Sequence, residues 1–328
     1  MNLSSRDLIS EPLRVDEFEA AQALVYDYLK PTPEIQWPLL SEALNCEVWV
    51  KHENHLPTGA FKVRGGLWYQ SQLVSQHSDC PGVIAATRGN HGQSVAFAAR
   101  HFDLRAVVVV PFGNSVDKNR AMKALGAELI EQGKDFDEAL VFARTLVEQE
   151  GLHFMPSFNA TLVQGVGTYA LELFSELSNL DYVFVPIGLG SGICGTVAVR
   201  DALGLDTKII GVVASGADAY RRSLQSGRSI ATDAAETIAD GLAVRIPNDA
   251  ALAYIKAGVE SIVAVNDEQI LGAMKLLYET AHNVAEGAGS ASIAALMSNQ
   301  EIVRGKRVGV VLSGGNVDAS LFQQALRS

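Results

Sequence analysis

The order of strand-like and helix-like segments constrains the fold of this chain more than any other sequence feature. RAVVVVP (105–111) is a continuous apolar run, as expected for a parallel strand covered on both faces. An amphipathic segment at 135–150 follows, with Asp135 as a suitable N-cap. Repeated β-α-β units predict parallel, doubly wound sheets, and two series of units predict two open-sheet α/β lobes with a cleft between them. The predicted strands are 48–54, 82–88, 105–111, 182–188, 208–215 and 307–315, and the predicted helices are 91–101, 116–125, 135–150, 164–177, 192–203, 267–281 and 288–297.

Charge, cysteine content and the N-terminal segment exclude several classes of protein. The chain carries 37 acidic and 26 basic residues, a formal net charge of -11, so we expect no nucleic-acid partner. Cys46, Cys80 and Cys194 lack metal-site or disulfide spacing, which predicts reduced thiols in a cytoplasmic protein. Residues 1–18 lack the apolar core of a signal peptide, and no apolar run is long enough to span a membrane. We therefore expect a globular protein with no membrane partner.

The first of four unusual loops is KHENHLPTGAFKVRGG (51–66), which contains Lys62. Gly59, Ala60 and Phe61 precede this lysine, so its setting is largely apolar. Such a setting disfavours the charged amine, and the neutral amine can attack an aldehyde cofactor. An ordinary surface lysine explains this segment equally well when the segment is considered alone.

The second loop is TRGNHGQS (87–94), between a predicted strand and a predicted helix. Gly89 and Gly92 allow close backbone approach, and Asn90, His91 and Gln93 supply donors at a helix N-terminus. This arrangement favours a bound carboxylate or phosphate. The alternative is a plain turn in which Asn90 caps the helix.

The third loop is GLGSGICG (188–195), directly after the predicted strand 182–188. Successive glycines free backbone N–H groups for an anion, and the following helix adds its dipole, which together predict a phosphate cradle. The same glycines satisfy G-x-G-x-x-G, the dinucleotide fingerprint. Because the strand 208–215 has no acid at its tip to hold a ribose, and Asp218 lies beyond it, a small phosphate is favoured.

The fourth loop is SGGNVD (313–318), after the strand-like run RVGVVL. Ser313 stands near the carboxyl end of that strand, where ligands of α/β sheets bind, and its hydroxyl could hydrogen-bond a ring nitrogen. The alternative is a turn with Asn316 as a helix cap.

Together the four loops resemble those of the fold type II pyridoxal-phosphate enzymes, which share the tryptophan synthase β-like fold. The resemblance is to the serine/threonine dehydratase and serine racemase group, and it extends from LKPTPEIQWPLLSEAL (29–44) through SGGNVD. It implies two doubly wound lobes with pyridoxal 5'-phosphate in the cleft. It also implies a large domain of residues 1–53 and 158–328, a small domain of residues 54–157, and a homodimer.

The resemblance assigns a role to each loop. Lys62 is expected to be the Schiff-base lysine and the catalytic base that removes the Cα proton. Ser313 is expected at the pyridine nitrogen, and Glu286, in AEGAG, matches a family glutamate near the ring. The expected cofactor-binding residues are Phe61, Lys62, Asn90 (at the 3'-oxygen), Gly188, Leu189, Gly190, Ser191 and Gly192 (at the phosphate), Glu286 and Ser313; the expected substrate-binding residues are Thr87, Arg88, Asn90 and His91.

The chain departs from the family pattern at several positions. Arg88 stands where the racemases have a serine that serves the far face of Cα, and a guanidinium stays protonated, so we expect no racemisation. Val213 and Ala219 stand where the cation-dependent members have acids, so we expect no metal site. Ala60 replaces the usual serine, with no predicted consequence. The chain ends shortly after SGGNVD, and we expect no C-terminal regulatory domain.

The implied activity is the elimination of water from a small amino-acid substrate, L-threonine or L-serine, to give a 2-oxo acid and ammonia. A same-fold eliminase acting on another β-hydroxy amino acid, such as 3-hydroxyaspartate, is an alternative. An NAD-dependent dehydrogenase built on the glycine loop, and a ligand sensor without catalysis, are alternatives from other classes. Side-chain selectivity depends on loops that the sequence does not place.

Overall fold

Two β-sheets organise the computed structural model, which describes residues 7, 8 and 10–328. The larger sheet has the strand order β1-β2-β10-β7-β8-β9, and the smaller has the order β5-β4-β3-β6. The described strands are β1 Glu34–Gln36, β2 Glu47–His52, β3 Val83–Ala86, β4 Ala106–Val110, β5 Glu128–Glu131, β6 His153–Phe154, β7 Tyr182–Pro186, β8 Lys208–Ala214, β9 Ser261–Val265 and β10 Arg307–Leu312.

The pairing within both sheets is parallel except at one edge. Strand β1 runs antiparallel to β2, which departs from the predicted all-parallel arrangement. An edge strand can pair in this way through a short connection, here residues 37–46, whereas a parallel neighbour needs a longer crossover. The strands of the smaller sheet all fall within residues 83–154, inside the predicted small domain; the domain boundaries themselves stay a prediction.

Helices cover both sheets, and their positions confirm the helices expected from the sequence to within a few residues. Asp135 caps α6, as expected, by accepting a hydrogen bond from the N–H of Glu138. The helices are α1 Val15–Tyr26, α2 Pro38–Leu44, α3 Lys62–Gln76, α4 Asn90–His101, α5 Val116–Ala124, α6 Phe136–Glu150, α7 Ala160–Glu176, α8 Ser191–Ala202, α9 Ala219–Ser226, α10 Asp249–Gly258, α11 Asp267–Ala281, α12 Gly287–Ser298, α13 Gln300–Val303 and α14 Ala319–Arg327.

Helix α12 is built from small residues, and this composition lets a loop approach its backbone. A Cβ atom added at Gly289 would lie 2.1 Å from the carbonyl oxygen of Gly314. The N–H of Glu286, the N-cap residue of α12, donates to the same carbonyl over 3.1 Å. The loop after β10 is therefore held against the start of α12, which places Ser313 and Glu286 close together.

A buried group of charges joins α3 and α7 to the edge of the larger sheet. The Arg64 guanidinium donates from Nε to Glu53 over 2.8 Å and from Nη1 to Glu172 over 2.6 Å, and its side chain is fully buried. Lys51, also fully buried, pairs with Glu172 and Glu34. Because these carboxylates and cations satisfy one another, the charges are tolerated in the interior.

Two further expectations from the sequence concern membrane-spanning segments and the three cysteines. Within the part that the structure describes, no helix combines the length and the apolar character needed to cross a membrane. Cys46, Cys80 and Cys194 are buried free thiols.

Candidate active site

One cavity lies beyond the carboxyl ends of β7 and β10, at the meeting point of several loops. This position is where open α/β sheets bind ligands. Each residue expected to bind the cofactor lines this cavity, although the expectation came from separate loops of the sequence. These residues are Phe61, Lys62, Asn90, 188–192, Glu286 and Ser313.

Lys62 is the first residue of α3, and two hydrogen bonds hold the backbone at and before this residue. The Ser94 hydroxyl donates to the Lys62 carbonyl over 2.7 Å, and the N–H of Phe61 donates to the Ser313 carbonyl over 3.1 Å. The Lys62 Nζ lies 5.0 Å from the centre of the Phe61 ring. Burial lowers the pKa of Lys62, and the charge of Glu286 opposes this shift only in part. The structure therefore favours a neutral amine facing the cavity.

The glycine loop between β7 and α8 has the geometry of an anion site. Gly190, with φ +105°, is the N-cap residue of α8, and no side chain caps this helix. A Cβ atom at Gly188 would lie 2.4 Å from the carbonyl oxygen of Gly241, so only glycine fits there. The Ser191 side chain is buried, and its hydroxyl has no hydrogen-bond partner among the described residues. Uncapped N–H groups and a free hydroxyl at a helix N-terminus suit a phosphate.

Asn90 connects the smaller sheet to the loops of the larger one. Its Nδ2 donates to Glu286 Oε1 over 2.6 Å, and its Oδ1 accepts from Asn316 Nδ2 over 2.8 Å. Asn316 also donates to the carbonyl oxygen of Thr58. The alternatives in which Asn90 caps α4 and Asn316 caps α14 are therefore wrong. Gly89 is the N-cap residue of α4, and Asn316 donates to the Asn90 side chain instead of capping α14.

The remaining residues of the 87–91 loop do not line the cavity with their side chains. The Thr87 hydroxyl accepts a hydrogen bond from the N–H of Gly89 over 3.1 Å. The His91 Nε2 lies 3.4 Å from the carbonyl oxygen of Met155, and burial, with the Lys62 charge, lowers the pKa of His91 to about 4. The Arg88 side chain is exposed and has no ion-pair partner among the described residues. Substrate binding by these three residues stays a prediction.

Several site residues escaped the sequence reasoning. Pro186, Gly241, Leu242 and Ala288 also line the cavity. Gly241 and Leu242 lie in a 3-10 turn far along the chain from the glycine loop, and no local pattern marks them. Pro186, the last residue of β7, could have been found from its position directly before that loop.

A metal site is not evident at the positions considered. Val213 lies buried in β8 and Ala219 begins α9, and neither offers a ligand atom in its side chain. Asp218, the nearest acid, pairs with Arg222 over 2.6 Å. The described residues contain no cluster of three or more His, Cys, Asp or Glu side chains suited to a metal ion. Independence from metal stays a prediction.

Comparison with known proteins places this site in a family. Residues 25–314 match the family described as pyridoxal-phosphate dependent enzyme. The chain is 34% identical to the L-threonine ammonia-lyase of Thermotoga maritima, over 96% of this chain and 78% of that one. It is 31% identical to the L-threo-3-hydroxyaspartate ammonia-lyase of Saccharomyces cerevisiae, over 91% of each chain. The processed threonine deaminase isoform 2 of Solanum lycopersicum superposes with a TM-score of 0.89 at 29% identity, over 100% of this chain and 96% of that one.

The chain therefore belongs to the pyridoxal-phosphate-dependent enzymes, and its fold is that of fold type II. It spans 58% of the biosynthetic L-threonine dehydratase of Pasteurella multocida, to which it is 33% identical over 90% of its own length. The family match replaces the dehydrogenase interpretation of the glycine loop.

The residues around the cavity fit pyridoxal phosphate. The Lys62 amine and the Ser313 hydroxyl have no hydrogen-bond partner among the described residues, although Ser313 is 5% exposed. Both residues line the cavity, so these atoms are suited to a bound polar molecule. The uncapped start of α8 provides the complementary site for its phosphate.

Proposed function

We propose that this enzyme eliminates water from L-threonine or L-serine and releases a 2-oxo acid and ammonia. The observation that carries the proposal is the Lys62 amine, which faces the same cavity as the glycine loop and is favoured in its neutral form. Similarity to ammonia-lyases over most of the chain supports the reaction type. We further expect a homodimer in the cytoplasm.

Particular groups of this chain would hold the cofactor. Lys62 would bind its aldehyde carbon, the N–H groups of 188–192 its phosphate, Asn90 its 3'-oxygen and Ser313 its ring nitrogen. When bound, pyridoxal phosphate withdraws electrons from the Cα atom of the substrate.

Lys62 Nζ, once released from the cofactor, would take the Cα proton of the substrate. A general base must be neutral to accept a proton, and burial shifts the pKa of Lys62 in the direction that favours the neutral form. The Ser313 hydroxyl is a neutral partner that stabilises a protonated ring nitrogen less than a carboxylate would. A serine at this position therefore favours prompt loss of the β-hydroxyl group of the substrate over prolonged stabilisation of negative charge at its Cα atom.

The start of α4 would bind the substrate carboxylate. Gly89 leaves the helix without a side-chain cap, so its first N–H groups are available, and the Asn90 amide is close by. Arg88 would add a positive charge at the same end. Since a guanidinium does not release protons near neutral pH, Arg88 gives no route to reprotonation on the far face of Cα.

A second candidate substrate is 3-hydroxyaspartate. Two observations favour it: the similarity to the yeast ammonia-lyase for that substrate, and the unpaired Arg88, which could bind a second carboxylate. Steady-state rates with threonine, serine, and threo and erythro 3-hydroxyaspartate separate the two. A kcat/KM for threonine at least about tenfold above that for 3-hydroxyaspartate supports the first substrate class, and the reverse order supports the second.

The lysine assignment has a direct test. Lys62→Ala should abolish turnover and the pyridoxyl group that borohydride fixes to the chain, because it removes the amine that lines the cavity. Lys134→Ala is the matched control, since Lys134 is exposed and pairs with Glu138 on the surface. Peptide mapping that finds the reduced pyridoxyl group on another lysine would contradict the proposal.

A further inference from the structure

Lys118 is a second lysine close to the cavity, and it joins segments that belong to different sheets. It lies on α5, which follows β4 of the smaller sheet. Its Nζ donates to Asp240 Oδ2 over 2.8 Å, and Asp240 begins the 3-10 turn that contributes Gly241 and Leu242 to the cavity. The Lys118 side chain is 11% exposed and that of Asp240 is 45% exposed, so the lysine end of the bridge is largely buried and the aspartate end faces water.

Two close backbone approaches connect Lys118 to opposite sides of the cavity. A Cβ atom at Gly89 would lie 2.9 Å from Lys118 Cδ, so the aliphatic part of the lysine packs against the residue before Asn90. On the other side, Gly241, next to Asp240, packs against Gly188 of the glycine loop. The position of Lys118 is therefore linked to both loops.

The Lys118 charge also acts on Glu286 electrostatically, without a direct ion pair between the two side chains, and the Glu286 carboxylate accepts the amide hydrogen bond from Asn90. Burial raises the pKa of Glu286 and Asp240 adds to the rise, whereas Lys118, the Asn90 hydrogen bond and Lys62 oppose it. Loss of the Lys118 charge would raise this pKa further. An ionised carboxylate makes the stronger hydrogen bond to an amide, so its charge state affects how firmly Asn90 is held.

We propose that Lys118 is a positioning residue of this enzyme, which holds the Glu286–Asn90 pair at the cofactor site through its bridge to Asp240, its packing against Gly89 and its charge. Its bridge to Asp240 sets the 89–90 segment relative to the glycine loop. The proposal rests on the cofactor site of the proposed function and extends it to a residue that touches neither cofactor nor substrate.

The test measures the affinity of the apoprotein for pyridoxal phosphate as a function of pH, which does not depend on the substrate. Lys118→Met keeps the aliphatic contact with Gly89 and removes the charge. We expect about tenfold weaker binding at neutral pH, and an acid midpoint of binding that is higher than in the wild type. Lys118→Arg should keep the wild-type midpoint, and Lys134→Met, which removes an exposed lysine, should change neither quantity.

Asp240→Asn gives the opposite electrostatic signature. It breaks the same bridge but removes a negative charge from beside Glu286, so the acid midpoint should fall. Opposite shifts in Lys118→Met and Asp240→Asn support the proposal. A loss of affinity that is equal at every pH would overturn it, and so would midpoint shifts in the same direction for the two variants. A shifted midpoint in Lys118→Arg would overturn it as well. If Lys118→Met does not fold, the direction of the Asp240→Asn shift decides alone.

The two proposals can fail separately. A wild-type protein that binds pyridoxal phosphate but turns over neither threonine nor serine would refute the proposed substrates. The opposite midpoint shifts would still establish the role of Lys118 in that case.

Discussion

Arg64→Met is the substitution for which the structure gives the clearest expectation of stability. The Arg64 guanidinium binds both Glu53 and Glu172, and the side chains of Arg64 and Glu53 are fully buried. Methionine has a similar length but leaves the carboxylates with Lys51 as the only remaining cation of the cluster described above. Removing one partner of a buried ion pair costs about 3–5 kcal/mol, because the other charge stays buried without compensation. We expect the free energy of unfolding to fall by about this amount at pH 7.

The loss should depend on pH in a defined direction. Burial alone would raise the pKa of Glu172, but Arg64 and Lys51 outweigh burial and lower it. In the wild type this pair therefore stabilises the fold above the unfolded pKa, about 4.3, and the contribution is lost as the pH falls through the folded pKa. In Arg64→Met the Glu172 pKa rises, so the carboxylate can take up a proton in the folded state. The difference between the two proteins should therefore be smaller at pH 5 than at pH 7.

Urea unfolding followed by far-UV circular dichroism at pH 7 and pH 5 measures both effects. Arg105→Met is the matched control, because Arg105 pairs with Glu128 and Glu150 at the surface and its side chain is 40% exposed. That change should cost less than about 1 kcal/mol. The reasoning is refuted if Arg64→Met unfolds within 1 kcal/mol of the wild type at pH 7, or if its deficit is the same at pH 5.

Four further outcomes are expected. Arg88→Ala should raise the Michaelis constant about tenfold if the exposed guanidinium binds a substrate carboxylate, and an unchanged value would remove it from substrate binding. Arg88→Ser should create measurable racemisation of serine, whereas a wild type that racemises serine as fast as it forms pyruvate would contradict the block by Arg88. Ser313→Ala should weaken pyridoxal-phosphate binding by about 0.5–1.5 kcal/mol, measured by titration of the apoprotein; unchanged binding would show that the hydroxyl has no cofactor contact. Chelator should leave the rate unchanged, because Val213 and Ala219 offer no ligands, and a loss restored by magnesium or calcium would reveal a site built from other residues.

Much of the fold could be predicted from local pattern. The apolar run that forms β4 and the capping aspartate at the start of α6 act over a few residues, and the elements appear where these signals lie. The antiparallel edge strand β1 was not predicted, since three residues carry too little pattern to define a strand. Helix α3 was missed as well, because Gly65 and Gly66 weaken its helix propensity and only packing against α4 and α7 compensates.

The sequence by itself predicted the groups that line the cavity: an apolar setting and the family resemblance marked Lys62, and the glycine loop and Ser313 stand at the ends of predicted strands. Such positions follow from the chain order of β-α-β units. Only the tertiary structure decided which distant side chains act on those groups. The pairing of Asn316 with Asn90, and the bridge from Lys118 to Asp240, join segments more than 100 residues apart. Their contacts depend on how the two sheets and their loops pack, and a local sequence pattern carries no information about that packing.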